Sequence, residues 1–306
     1  MRLVFAGTPA VAVPTLRALA AQHEIAAVVT RPDAPLGRKR DLTPSPVADE
    51  AERLGLPVIK AARLDDEATR RISALHAELG VIVAYGGIVR EPLLSAPHHG
   101  WINLHFSLLP AWRGAAPVQR ALIAADAALG VSVFRLVPEL DAGDVFAMRT
   151  VAVPGDATAD IALDVLAADG AALTGEVVAG IAAGTATATP QSGSPSLAPK
   201  LVLQDGALDW TQPLSAVYAR YRGVTPEPGA HTTIDGARLK ILAATPAPDA
   251  PGVAPGMLTG SKSSVFIACA DGSLEVTRVQ PAGKGAMNAA DWWRGMRADP
   301  GVRAGS

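Results

Sequence analysis

The sequence predicts an α/β protein in which a mostly parallel sheet, covered by helices on both faces, precedes a small C-terminal β-barrel. Three observations carry this. Short apolar runs alternate with helix-patterned segments through residue 183, residues 184–203 form a connector rich in Thr, Ala, Ser, Gly and Pro, and short strands beyond it flank Asp-Gly turns. The first pattern is that of a Rossmann-like sheet. The expected organisation is therefore a first domain over 1–183, a linker over 184–203 and a second domain over 204–306.

Residues 3–6 are an apolar run closed by Gly7-Thr8-Pro9, and Val13 to Ala21 can follow as a helix with Pro14 in its first turn, where a missing N–H does no harm. Further strands are expected at Ile25–Thr30, Pro57–Ile59, Val81–Tyr85, Trp101–His105 and Val131–Val137, with helices at Asp65–Leu79 and Ala116–Ala125 between them. Alternation of this kind implies parallel pairing. Thr158 to about Ala183 reads as a closing helix interrupted near Gly170. Prolines 190, 195 and 199 then argue against any regular ladder in the connector. Asp235-Gly236, between Thr232–Ile234 and Arg238–Leu242, predicts a hairpin, as does Asp271-Gly272 between Val265–Cys269 and Leu274–Val279. Asn288, with Asp291 three residues on, starts a last helix that packs through Trp292, Trp293 and Met296.

Composition narrows the function classes. The 306 residues carry a net charge of −2, with −4 on residues 1–199 and +2 on 200–306, so bulk charge does not point to a protein that coats nucleic acid or membrane. The single cysteine, Cys269, excludes an internal disulfide framework and fits a reducing cytoplasm. No apolar stretch approaches the ~20 residues of a membrane span. The first glycines do not form a dinucleotide-binding fingerprint, and neither a phosphate loop nor a serine nucleophile elbow is present. His23, His76, His98, His99 and His231 show no metal-ligand spacing, with adjacent His98 and His99 expected to point apart, so no metal is expected.

The candidate chemistry lies in Trp101-Ile102-Asn103-Leu104-His105. Alternation along a strand aims Asn103 and His105 at the same side, and both fall at the carboxyl end of an apolar strand, where open α/β sheets bind ligands. An amide and an imidazole suit a reaction that develops negative charge on a carbonyl oxygen. A carboxylate to orient the imidazole is available in Asp141 or Asp144; spacing leaves the choice open. Arg31 to Arg40 concentrates Arg38, Lys39 and Arg40 in a turn-rich loop suited to phosphate or RNA.

Asn103-x-His105, Ser107-Leu108-Leu109-Pro110 and Leu140-Asp141-Ala142-Gly143-Asp144 closely resemble the 10-formyltetrahydrofolate-dependent formyltransferases. Phe5-Ala6-Gly7-Thr8-Pro9, Val83-Ala84-Tyr85-Gly86, Trp112-Arg113-Gly114 and Gln280-Pro281-Ala282-Gly283-Lys284 resemble the members of that family that act on charged tRNA. The resemblance implies formyl transfer from 10-formyltetrahydrofolate to the α-amino group of initiator methionyl-tRNA, by a metal-free cytoplasmic monomer. It also implies Asn103, His105 and Asp141 as the catalytic trio, and Ser107, Leu108, Leu109, Pro110, Tyr85 and Gly86 at the folate. Arg38, Lys39, Arg40, Arg238, Lys240 and Lys284 would meet the tRNA, the last three from a C-terminal oligonucleotide-binding (OB-like) barrel. Phe106 departs from the pattern, standing where glycine is common. The alternative acceptor within the same chemistry is an amino sugar nucleotide or glycinamide ribonucleotide.

Overall fold

The computed structural model describes residues 1–37, 40–250, 253–260, 262–296 and 301–305, in two compact units. Residues 1–117, 128–153 and 163–199 make the first, and 118–127, 154–162 and 200–306 the second.

The chain of the first unit runs β1 (Arg2–Gly7), α1 (Val13–Ala20), β2 (Glu24–Thr30), a small hairpin β3 (Ala34–Leu36) and β4 (Asp41–Thr43), α2 (Pro46–Arg53), β5 (Val58–Lys60), α3 (Asp66–Ser73) and β6 (Leu79–Val83). It continues through β7 (Trp101–His105), β8 (Arg113–Gly114), α4 (Pro117–Ile123), β9 (Leu129–Arg135), β10 (Val145–Val151), α5 (Ala159–Ala182) and β11 (Leu197–Ala198), with α4 from Val118 on and the first turn of α5 counted in the second unit. The main sheet has the order β10-β9-β7-β6-β1-β2-β5. Strands β1, β2, β5, β6 and β7 are parallel, and β1, β2 and β6 are buried almost throughout, as strands covered on both faces must be. On one face Val4, Ala6, Val29, Ile82 and Trp101 pack with Ile72 of α3. On the other, α5 passes so close to Leu104 that a Cβ on Gly170 would lie 2.8 Å from the leucine Cδ2.

Five expectations change. Strand β9 runs antiparallel to β7, which it reaches through β8 and α4, and β10 returns antiparallel to β9 across the loop 136–144. Helix α5 is unbroken at Gly170, where the glycine permits close approach to the sheet. That helix is also long and apolar enough to cross a membrane by composition, yet Leu166, Ala167, Leu173, Val177 and Val178 are buried inside the unit. The connector is not free of ladder structure: Val145 bridges Thr189, and β11 pairs in parallel with β8. His98 and His99 turn toward each other, with ring centroids 4.4 Å apart and edge to face.

Helix α2, which hydropathy alone does not announce, starts at an Ser45 cap whose Oγ accepts from Ala48 N at 3.0 Å, with Pro46 in the first turn. On α2, Glu50 receives both Arg17 and Arg53, and these guanidinium hydrogen bonds hold its carboxyl far below the usual range.

The second unit contains α6 (Leu214–Val224), strands β12 (His231–Ile234), β13 (Ala237–Ala247), β14 (Leu258–Gly260), β15 (Val265–Ala268), β16 (Ser273–Pro281) and β17 (Met287–Asn288), and α7 (Ala289–Met296). Its sheet is antiparallel, in the order β12-β13-β16-β15-β14 with β17 on β16. Asp235 and Gly236 both have positive φ, as a tight two-residue hairpin requires. Register shifts at Ile241 to Ala244 let β13 bend. The two edges, β12 and β14, are joined by the C-terminal residues: Ala304 bridges Ile234, Arg303 bridges Met257, and Val302 and Ala304 are packed with the core of Trp210, Tyr221, Leu274 and Trp292. The curled sheet is thereby closed as a small barrel.

Three backbone bonds at this seam are Leu258 N to Val302 O, Ala304 N to Gly256 O and Gly305 N to Thr233 O. Deleting residues 301–306 is expected to destabilise the second unit by about 2–4 kcal/mol, from three lost hydrogen bonds at about 1 kcal/mol each. Urea unfolding followed by tryptophan fluorescence checks this.

Candidate active site

Strand β7 sits between β6, parallel, and β9, antiparallel, and its period of two presents Asn103 and His105 to one cavity. The cavity has a volume of about 540 Å³. Its walls come from Tyr85, Gly86 and Ile88 after β6, Phe106 after β7, Gly114 at the end of β8 and Ala115 after it, and the 136–141 loop after β9.

His105 is buried and packs edge to face on Phe134. Its Nε2 lies 2.8 Å from the carbonyl oxygen of Trp112. A carbonyl can only accept, so Nε2 carries the proton and Nδ1 is the basic nitrogen. Nδ1 lies 3.8 Å from Asp141 Oδ2. Burial pushes the imidazole below its ordinary pKa, while the Asp141 carboxylate and the Trp112 carbonyl pull it partly back. The Asn103 side chain makes no hydrogen bond among the described residues, and its buried Oδ1 has no partner. An unsatisfied buried carboxamide on a cavity wall is available to a ligand.

Asp141 reaches this point by a route that the strand pattern does not disclose. Because β9 is antiparallel, it ends beside Ile102 rather than beyond His105, and Leu136 N donates to Trp101 O at 2.8 Å. The chain then folds back across the cavity. Gly143 makes the return possible, since a Cβ there would stand 1.8 Å from Arg135 O. Asp141 has φ +46°, and its Oδ2 accepts from Gly114 N at 2.8 Å. Asp144 does not line the cavity; its backbone carbonyl accepts from Arg135 N.

Among the residues expected at the folate, Tyr85 and Gly86 line the cavity. Thr8 Oγ1 donates to Tyr85 O, Tyr85 OH donates to Ala61 O, and Arg31 Nη2 donates to Gly86 O at 2.8 Å. Ser107, Leu108, Leu109 and Pro110 do not line it. They form a pinned turn in which Ser107 Oγ donates to Ala111 O, Ser132 Oγ donates to Ser107 O, and Leu109 N donates to Ser132 Oγ. Phe106 supplies wall where a glycine would leave space.

Arg38 and Lys39 lie outside the described residues, and Arg40 is exposed in the turn between β3 and β4. In the second unit Arg238 and Lys240 line a hollow of about 180 Å³ with Gln280, Pro281, Ala282 and Gly283; Lys284 follows directly, its carbonyl accepting from Gln280 Nε2. Among the described residues no three His, Cys, Asp or Glu side chains gather as a metal site. Sequence reasoning missed Gln191 and Ser196, which bond to the Asp141 loop and to Trp112 N respectively. Only their polarity in a proline-rich stretch marked them.

The chain matches the family described as formyl transferase over residues 1–175 and the formyl transferase C-terminal domain over residues 200–297. It is 59% identical over 297 residues to the methionyl-tRNA formyltransferase of Clavibacter sepedonicus, covering 97% of each chain. The chain belongs to the methionyl-tRNA formyltransferase family. Against the formyltransferase of that name from Leifsonia xyli subsp. xyli the identity is 60% over 296 residues, covering 96% of this chain and 97% of the other. The fold is shared with the N-formyltransferase of Helicobacter canadensis, described in complex with folinic acid and dTDP-3-aminofucose. That likeness has a TM-score of 0.70 at 17% identity, and covers 91% of this chain and 98% of the other.

Since Gly143 governs the return of the loop, Gly143→Ala is expected to displace Asp141 and lower kcat for formyl transfer by about 10²-fold, the scale of a misplacement near 1 Å. Single-turnover kinetics check this, with thermal denaturation reporting the fold.

Proposed function

We propose that this chain transfers the formyl group of 10-formyltetrahydrofolate to the α-amino group of initiator methionyl-tRNA, acting as a cytoplasmic monomer. The observation that supports this most strongly is near-full-length identity of 47–60% to proteins named for that reaction, combined with Asn103, His105 and Asp141 on one cavity wall. Formyl transferases use folate derivatives, and a mostly apolar cavity of about 540 Å³ with a few converging polar groups is of the size that holds such a co-substrate.

In this reading the neutral amine attacks the formyl carbon, the C=O bond opens to an oxyanion, and the C–N10 bond breaks. Asn103 donates to the oxyanion through its free amide. His105 cannot share that task while neutral, because its only N–H is held by Trp112 O. It instead takes the amine proton at Nδ1, where Asp141 stabilises the imidazolium, and returns a proton to N10 as tetrahydrofolate leaves. A pKa lowered by burial keeps the imidazole unprotonated and ready at neutral pH. Tyr85 and Gly86, with the Ser107–Pro110 turn behind the wall, shape the folate side. Arg38, Lys39 and Arg40 engage the tRNA acceptor end, and Arg238, Lys240 and Lys284 its phosphate backbone.

Asn103→Ala is expected to lower kcat by about 10²–10³-fold, the value of one oxyanion donor, without changing the melting temperature. The acceptor is checked by offering 10-formyltetrahydrofolate with initiator methionyl-tRNA, glycinamide ribonucleotide or an amino sugar nucleotide. Formylation of a small acceptor alone overturns the reading.

A base with a lowered pKa loses activity only when the pH falls below its ordinary value. The acid limb of kcat should therefore lie below the ordinary imidazole value of 6.5. Asp141 raises that pKa, so the residual activity of Asp141→Asn should show an acid limb at still lower pH. A pH–rate profile of both proteins checks the sign.

A further inference from the structure

The connector after α5 contains a carboxamide whose bonding is unusually complete. Arg113 donates to Gln191 Oε1 from Nε at 3.2 Å and from Nη2 at 2.6 Å. A guanidinium only donates, so this pair determines which end of the carboxamide is the oxygen. The amide nitrogen therefore faces the 141–143 turn, where Nε2 donates to Asp141 O at 2.7 Å and to Gly143 O at 2.9 Å. Both carbonyls belong to the turn in which Asp141 has φ +46° and Gly143 touches Arg135 O. The same connector grips the other side of the site. Ser196 Oγ accepts from Trp112 N at 2.9 Å, Ser196 O accepts from Arg113 N at 2.8 Å, and β11 pairs with β8.

We infer that Gln191 is a positioning residue for formyl transfer: its amide clamps the Asp141–Gly143 turn so that the Asp141 carboxylate stands against Gly114 N and His105. This rests on the reading of Asp141 given above. The backbone of Asp141 is held from one side by Gln191 and its carboxylate from the other by Gly114 N, so neither rotation nor withdrawal is free. Arg113 takes part by orienting Gln191 rather than by touching the carboxylate. The connector is thus part of the catalytic architecture, and its composition serves two carbonyl acceptors about 50 residues upstream.

Two variants separate a donor role from simple filling. Gln191→Glu keeps the length and the acceptor for Arg113 but puts an oxygen where the N–H donors were. Gln191→Ala removes both. With initiator methionyl-tRNA and 10-formyltetrahydrofolate, both variants are expected to lower kcat by about 10²-fold, with KM for either substrate unchanged. In the Asp141→Asn background, Gln191→Glu is expected to add no further loss, because the group it positions is already gone. Wild-type kcat in Gln191→Glu, or losses that multiply in the double variant, overturns the inference while leaving the Asp141 reading intact. Wild-type kcat in Asp141→Asn removes the Asp141 reading, and this inference with it. Melting temperatures report whether each variant folds, and the isosteric Gln191→Glu keeps the test open if Gln191→Ala does not.

Discussion

Asp141 ties three separate stretches of chain to one point. Its own loop returns over the cavity, its carboxylate accepts from Gly114 N, and its backbone carbonyl accepts from Gln191. Each stretch is short and irregular, and none would hold its shape alone. Together they enclose the face of β7 that carries Asn103 and His105. A carboxylate held by a backbone N–H stays aimed, which is what a neighbouring imidazole needs if it is to accept a proton.

The polar groups of the site are arranged at some cost to stability. Asn103 Oδ1 is buried with no partner, and burial disfavours the charged form of His105. Neither is repaired by packing, although nearby Ser107, Ser132 and Leu109 satisfy one another fully within a few ångströms of backbone. The contrast between a saturated turn behind the wall and an unsaturated carboxamide on it marks where a ligand is expected to complete the bonding. The near-neutral total charge has a similar logic. It sums a −4 segment and a +2 segment, so opposite local balances cancel along the chain.

Local pattern explains how much of this was legible. The strand at 101–105 appears where period-two alternation places it, and the hairpin at Asp235-Gly236 follows from two residues that tolerate positive φ. Failures occur where a distant contact overrides the local signal. Gly170 reads as a helix interruption, yet α5 continues through it, because the missing Cβ allows contact with Leu104, which is 66 residues earlier. Prolines 190, 195 and 199 read as a free connector, yet the residues between them bond to turns far upstream. Strand alternation predicts parallel pairing for the run at 131–137, yet β9 is antiparallel, and a glycine-permitted return delivers the Asp141 carboxylate.

The sequence alone determined the fold class, the β7 pair Asn103 and His105, and the family, because alternation, turn chemistry and short motifs are properties of neighbouring residues. Only the tertiary structure decided which aspartate faces the imidazole, which imidazole nitrogen is free, that Gln191 bonds the Asp141 turn and that residues 302–305 close the barrel. Those decisions depend on hydrogen bonds and close approaches between residues tens of positions apart, whose geometry exists only once both partners are folded.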